Sequence, residues 1–321
     1  MRRRAAARLS GVDYRIALVQ VAPRLGDLEA NLELAADRIR AADREGAQLV
    51  CFPELALSGY LLQDLVPEVA LRADDPRLGA LSRVVAGMAV AVGFVEETDA
   101  HRYCNSLALL RDGELLGLHR KVYLPTYGLF DEGRFTSAGD RIRTTAVGAP
   151  LGRIGLSICE DFWHPSLPML QALDGASLLV NVAAGPARAP GSAAGTAAIA
   201  GWHKMQDTYA LLGTVAVAFC NRVGNEEGLT FWGGSRLLAA DGSLVAEAPL
   251  YEEALVVGTL ETDDLRVQRY ALPLLADERL ELTRRELDRI ITERAGLPPP
   301  EGPMDAPARH SAGGRAAGER A

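Results

Sequence analysis

A mixed-sheet α/β fold is predicted by three features of the sequence. Strand-like and helix-like patterns alternate in both halves of the chain, two Asp-Gly dipeptides sit between apolar runs, and no Pro/Gly/Ser-rich linker divides the body. The alternation implies βαβ units with parallel strands, and the Asp-Gly dipeptides add antiparallel hairpins to the same sheets. One domain over residues 13–296 is large for a single core, so two sheets are expected to stack.

In chain order, residues 14–21 read as a buried strand, and residues 27–45 as a helix with Leu28, Leu32, Ala35, Ile39 and Ala42 on one face, ended by Gly46. A short strand at 49–52 stops at Pro53; a helix at 77–87 and a strand at 89–95 follow. Runs 106–110 and 114–118 flank Asp112-Gly113 as a hairpin. The alternation then resumes with a strand at 152–158, a helix at 165–173, a strand at 178–182, a helix at 196–212 and a strand at 215–221. Residues 231–239 and 244–248, joined through Asp241-Gly242, read as a second hairpin, and 254–260 as the last strand. Helices are expected at 262–270 and 277–295, and a disordered tail at 297–321.

Composition narrows the class. The 321 residues are 48% hydrophobic and 24% charged, which is globular rather than fibrous or disordered. With 34 Lys+Arg against 42 Asp+Glu the net charge is -8, so there is no global attraction to a phosphate backbone and no nucleic-acid partner is expected. Four scattered cysteines without a C-x-x-C pair argue against a zinc site or a disulfide framework and fit a reducing, cytoplasmic setting. The basic start, Met1-Arg2-Arg3-Arg4, is followed by Arg8, Asp13 and Arg15, which interrupt the apolar run a signal peptide needs, so residues 1–12 read as a flexible arm. The longest apolar stretch, 210–220, is shorter than the ~20 residues of a membrane span.

Three segments each place a reactive side chain just after an apolar strand, where α/β folds put their sites. In Phe52-Pro53-Glu54, the carboxylate sits among apolar neighbours, where burial would suit it to general-base work; a surface glutamate is the plainer reading. His119-Arg120-Lys121 leads into an aromatic-rich loop in which a lysine can act as a fixed charge for an oxyanion, and His119 and Arg120 read as a solvated strand end. Cys159, in Ile158-Cys159-Glu160-Asp161, ends a strand before a helix, and a helix start together with a nearby ammonium would favour its thiolate. Cys51, Cys104 and Cys220 read as core filler.

Taken in order, Phe52-Pro53-Glu54, His119-Arg120-Lys121 and Cys159-Glu160 resemble the three catalytic segments of the nitrilase superfamily of carbon-nitrogen hydrolases, over roughly residues 14–262. The resemblance implies an αββα sandwich with helices on the outer faces, Glu54 as general base, Lys121 as oxyanion donor, Cys159 as nucleophile and Glu132 as a second glutamate supporting the lysine. It implies no cofactor or metal, a small-molecule amide substrate and a homo-oligomer. Cys159-Glu160-Asp161-Phe162-Trp163 and the loop from Leu124 to Glu132 look most like the glutaminase domain of glutamine-dependent NAD synthetases, in which Tyr60, Tyr127 and Phe130 match substrate-lining aromatics and Glu160 falls beside the substrate. Two departures stand out: no Ser-Gly-Gly-x-Asp-Ser pyrophosphatase loop occurs, and the family's Asn-x-Ser-x-Ser-Pro segment reads Asn181-Val182-Ala183-Ala184-Gly185-Pro186.

The lost hydroxyls argue against glutamine, whose α-carboxylate needs donors, unless Arg188 replaces them; another small amide or carbamoyl compound is expected. Rival readings are a Cys-His-Asp hydrolase using His119, His164 or His203, a crowded metal site from Cys159, Glu160, Asp161 and His164, acyl transfer to an amine, a glutaminase subunit serving a separate synthetase, and a catalytically silent interaction module. Trp202 reads as core, whereas Trp163 could line a pocket and Trp232 fits pocket and core equally.

Overall fold

The computed structural model describes residues 12–187 and 192–296. The arm up to Gly11, Arg188 and the predicted tail lie outside the described residues. The chain divides into two compact units, Met1–Ala276 and Asp277–Ala321.

The first unit opens with β1 (Asp13–Gln20), α1 (Leu28–Arg44) and β2 (Leu49–Cys51). Asp27 caps α1 by accepting from the Ala30 N–H, and Ala35, Ile39 and Ala42 form its buried stripe. After the short α2 (Val66–Val69) and α3 (Pro76–Ser82) come β3 (Ala89–Glu97), β4 (Tyr103–Arg111) and β5 (Glu114–Arg120). The second half contributes α4 (Glu132–Phe135), β6 (Thr144–Gly148), β7 (Gly152–Ile158), α5 (Ser166–Leu173), β8 (Leu178–Ala183), α6 (Ala193–Gly213) and β9 (Ala216–Asn221). β10 (Val223–Glu226), β11 (Leu229–Trp232), β12 (Arg236–Leu238), β13 (Leu244–Glu247), β14 (Ala254–Glu261), α7 (Thr262–Ala271) and α8 (Leu274–Asp277) follow. The second unit contains α9 (Leu280–Arg294), none of whose residues is buried.

Two six-stranded sheets form, in the orders β14-β1-β2-β3-β4-β5 and β13-β12-β9-β8-β7-β6, with β10-β11 as a separate ribbon. Each sheet has three parallel strands, β1-β2-β3 and β7-β8-β9, and antiparallel strands outside them. Strand periodicity of two assigns the faces. Ile16, Leu18, Cys51 and Ala91 join Leu156, Ile158, Val180 and Ala218 in one core between the sheets. The alternate residues Ala17, Val19, Val50 and Val92 pack with Ala35 and Ile39 of α1 and Leu78 and Leu81 of α3. On the far side, Trp202 and Ala210 of α6 cover Phe219, so the layers run helix, sheet, sheet, helix. The sheets approach closely enough for the Cys220 thiol to donate to the carbonyl of Cys51 at 3.2 Å.

Three expectations are corrected. The helix of residues 77–87 ends at Ser82, whose hydroxyl accepts from the Gly113 N–H of the first hairpin. The run 231–239 is broken at Gly233-Gly234: Phe231 and Trp232 pair with β10, and only Arg236–Leu238 pairs with β13. The helix start expected beside the Cys159 thiol is a five-residue 3-10 turn, Cys159–Trp163, and the helix expected at 165–173 follows it as α5.

Candidate active site

Glu54 leaves the C-terminal end of β2 and crosses the face of β3. Gly93 permits this, because a Cβ there would lie 2.6 Å from both the Leu55 nitrogen and the Pro53 oxygen. The Glu54 carboxylate is fully buried and carries three hydrogen bonds. Its Oε1 accepts from Lys121 Nζ and from Asn105 Nδ2, each at 2.7 Å, and its Oε2 accepts from the Ala184 N–H at 2.7 Å. Asn105 also fixes the lysine's backbone, since the Lys121 N–H donates to the Asn105 carbonyl at 2.9 Å.

Lys121 follows β5 and is itself fully buried. Its ammonium donates to Glu132 Oε1 at 2.7 Å as well as to Glu54, and the Tyr60 hydroxyl reaches the same Glu132 oxygen at 2.5 Å. Glu132 stands at the first position of α4. Its Oε2 and the Asn105 Oδ1 are buried with no partner among the described residues, and both residues line a mainly apolar cavity of about 140 Å³ with Leu55, Tyr60, Leu62 and Phe130.

Cys159 directly follows β7 with φ +46°, a left-handed conformation that turns the chain sharply at the thiol. Asp161 ties this turn to the lysine segment. Its Oδ1 accepts from the Val122 and Tyr123 N–H groups at 3.0 Å each; its Oδ2 accepts from the Ile158 N–H at 2.9 Å and pairs with His119 Nε2 at 2.7 Å. One buried carboxylate thereby holds the neighbours of Lys121 and of Cys159 in register. His119 is buried, not a solvated strand end, and Arg120 forks onto Glu96. The pattern His-x-Lys with Cys-x-Asp was visible in the sequence; that its two polar members pair was not.

Electrostatics explain the ordering of charge. Burial works against the Lys121 ammonium, but the carboxylates of Glu132 and Glu54 outweigh it and hold its pKa well above the ordinary value. Burial and then the Glu54 charge push the Cys159 thiol well above the usual range, and Lys121 only partly opposes them. The expected depressed thiol is therefore overturned: Cys159 rests protonated. Burial also raises Glu132, against the pull of Lys121. Cys51 is pushed up to about 12 by burial, and Cys104 and Cys220 are raised too, in keeping with core filler.

The remaining predicted residues gather nearby. The Tyr127 hydroxyl donates to Glu160 Oε2 at 2.9 Å, Phe130 meets the Tyr127 ring edge-on at 5.7 Å, and the Glu160 carboxyl feels the charges of Lys121 and Glu54. His164 stacks on Tyr123 at 3.5 Å. Trp232 is core, 1% exposed, whereas Trp163 is 43% exposed and packs edge-on against Trp202. Ala183 is buried in the core, and a Cβ at Gly185 would lie 2.8 Å from the Trp232 indole nitrogen. Among the described residues no group of three or more His, Cys, Asp or Glu is placed to hold a metal ion, and no helix is long and apolar enough to cross a membrane.

Two stacked mixed sheets sheathed by helices define the fold of the nitrilase superfamily. A carbon-nitrogen hydrolase from Helicobacter pylori G27 shares this fold, with a TM-score of 0.74 over 84% of this chain and 96% of that one at 23% identity. Nit3 of Saccharomyces cerevisiae, a nitrilase-superfamily member, gives a TM-score of 0.70 at 26% identity over 84% of this chain and 98% of that one. Residues 15–270 match the carbon-nitrogen hydrolase family, and the chain belongs to it. Among curated relatives, the glutamine-dependent NAD(+) synthetase of Thermotoga maritima is 34% identical over 79% of this chain, which spans only 43% of that protein. The N-carbamoylputrescine amidase of Solanum tuberosum is 29% identical over 80% of this chain and 89% of its own length. The matched stretch is accordingly a carbon-nitrogen hydrolase domain.

Proposed function

We propose that the enzyme hydrolyses the C–N bond of a small primary amide or carbamoyl compound through a Cys159 thioester. The observation that carries this reading is the buried Glu54–Lys121–Glu132 cluster whose field reaches Cys159. Because the thiol rests protonated, attack on the carbonyl must be accompanied by proton transfer, and Glu54 is the base for it. Lys121 has three N–H groups, two of them engaged by Glu54 and Glu132, so the third serves the oxyanion with a backbone N–H near Glu160. Glu54 returns its proton to the leaving ammonia. It then activates the water that hydrolyses the thioester, regenerating the Cys159 thiol and releasing the acid.

Tyr60, Tyr127 and Phe130 shape the acyl side, with Glu160 held by Tyr127. The support for an amide comes from relatives: the Solanum tuberosum protein is an N-carbamoylputrescine amidase, and a solved amidase from Nesterenkonia sp. AN1, at 26% identity and a TM-score of 0.69, carries the acetamide moiety of fluoroacetamide on its active site cysteine. Glutamine is disfavoured here, because a serine in place of Gly185 would press on Trp232 and Ala183 carries no hydroxyl. Each unmade hydrogen bond to a buried carboxylate costs about 1–3 kcal/mol. The 34% identity to an NAD(+) synthetase favours a second reading, a glutaminase delivering ammonia to a separate synthetase.

An ammonia-release screen over primary amides, carbamoyl amines and glutamine, with Cys159→Ala as control, tests both. Small amides are expected to rank first and the control to be inactive. Glutamine ranking first would replace the first reading by the second, and undiminished turnover by Cys159→Ala would end both.

A further inference from the structure

A second buried ion pair, outside the Glu54–Lys121–Glu132 cluster, grips the loop that carries Tyr60. Arg222 Nη1 donates to Glu226 Oε2 at 2.6 Å, with both side chains almost wholly excluded from solvent. The other oxygen, Glu226 Oε1, accepts from the backbone N–H groups of Tyr60 at 2.8 Å and Leu61 at 2.5 Å. The Arg222 guanidinium lies 4.1 Å over the Phe231 ring, and Phe231 meets the Tyr60 ring edge-on at 6.1 Å. The preceding residue is moulded to the same carboxylate: Gly59, at φ +81°, would with any Cβ come 2.9 Å from Glu226 Oε2 and 2.8 Å from the Leu25 backbone. Tyr60 is therefore held at its backbone and at its ring by one pair of charges.

From this geometry we infer that Arg222 and Glu226 are positioning residues that set Tyr60, and through its hydroxyl Glu132 and Lys121, for the reaction. The inference rests on the amide-hydrolase reading. A carboxylate that takes two adjacent backbone N–H groups fixes the loop in two directions, and the charge-assisted bond from Arg222 Nη1 fixes the carboxylate in turn. The 2.5 Å bond from Tyr60 to Glu132 then transmits that placement to the ammonium. A hydrogen bond this short tolerates little displacement of either partner.

The test measures amide hydrolysis by the full chain per active site, with sites counted by iodoacetamide labelling of Cys159, for wild type, Glu226→Gln, Tyr60→Phe and the double variant. Gln keeps the size of the side chain and offers one carbonyl to the loop, but it presents a neutral amide to Arg222. The expected result is a fall in kcat per site of up to about 100-fold in each single variant, with the double variant within about twofold of Tyr60→Phe. Fewer labelled sites with unchanged kcat per site, or losses that multiply in the double variant, would show a merely structural pair and overturn the inference. Should Glu226→Gln not fold, Arg222→Lys replaces it and must lower kcat per site in the wild-type background but not in Tyr60→Phe. The labelling rate of Cys159 needs no substrate and reads the same coupling. A wild type that releases no ammonia therefore refutes the amide reading, while the labelling rates still decide whether the pair acts through Tyr60.

Discussion

In the proposed mechanism Cys159 acts as nucleophile from a place that favours its thiol form. With burial and Glu54 pushing its pKa well above the usual range, iodoacetamide labelling should still be climbing at pH 9; a plateau below pH 8 would show a depressed thiol instead. Lys121 acts as a compact charge between two carboxylates 2.7 Å away on either side, a space that a planar guanidinium does not match. Lys121→Arg should lose nearly as much as Lys121→Ala, about 100- to 1,000-fold in kcat, and turnover of Lys121→Ala within a few-fold of wild type would remove the lysine from the mechanism. Asp161 offers a stability test. Its folded pKa lies below the ordinary 3.8, because the pull of His119 and of the Tyr123 and Ile158 N–H groups exceeds the effect of burial. The stabilisation is thus complete above 3.8 and is lost as pH falls through the lower folded value. Asp161→Asn should cost about 3 kcal/mol at pH 7, and the gap in melting temperature should narrow below pH 4.

At the scale of elements, the site is built where strands β2, β5 and β7 end, and the close passage of residues 53–55 over β3 brings Glu54 into it. Gly93→Ala should therefore lower both melting temperature and activity, since the added Cβ meets backbone rather than a flexible side chain; an unchanged kcat at full stability would show that the segment can shift freely. The elements that carry the three segments were legible because each is an apolar run of one period stopped by Pro53, by a polar strand end or by a cysteine. β6 was not legible, since Thr144–Gly148 is short and only two of its five residues are buried. The β10-β11 ribbon was missed for a related reason. It belongs to neither sheet, and its partner strand lies across a turn at Glu227-Gly228 that no Asn-Gly or Asp-Gly signal marks.

At the scale of the whole molecule, every buried apolar residue of the three hydrophobic clusters lies between Tyr14 and Leu260. Truncation after Gly296 should leave the melting temperature of the chain unchanged; a fall of several degrees would mean that the distal residues contribute to the core. The sequence by itself determined the mixed-sheet α/β pattern and the order of most strands, because strand period and turn signals are properties of neighbours along the chain, while its resemblance to the nitrilase superfamily supplied the αββα class and the candidate residues Glu54, Lys121, Glu132 and Cys159. Only the tertiary structure decided that Asn105 and the Ala184 N–H complete the shell of Glu54, that Asp161 joins two segments about 40 residues apart through His119, and that Arg222 and Glu226 hold Tyr60. It also reversed the expected state of the Cys159 thiol. Pairing between distant segments and the burial of a charge arise only when two sheets close over the same residues, and desolvation has no signature along a single chain.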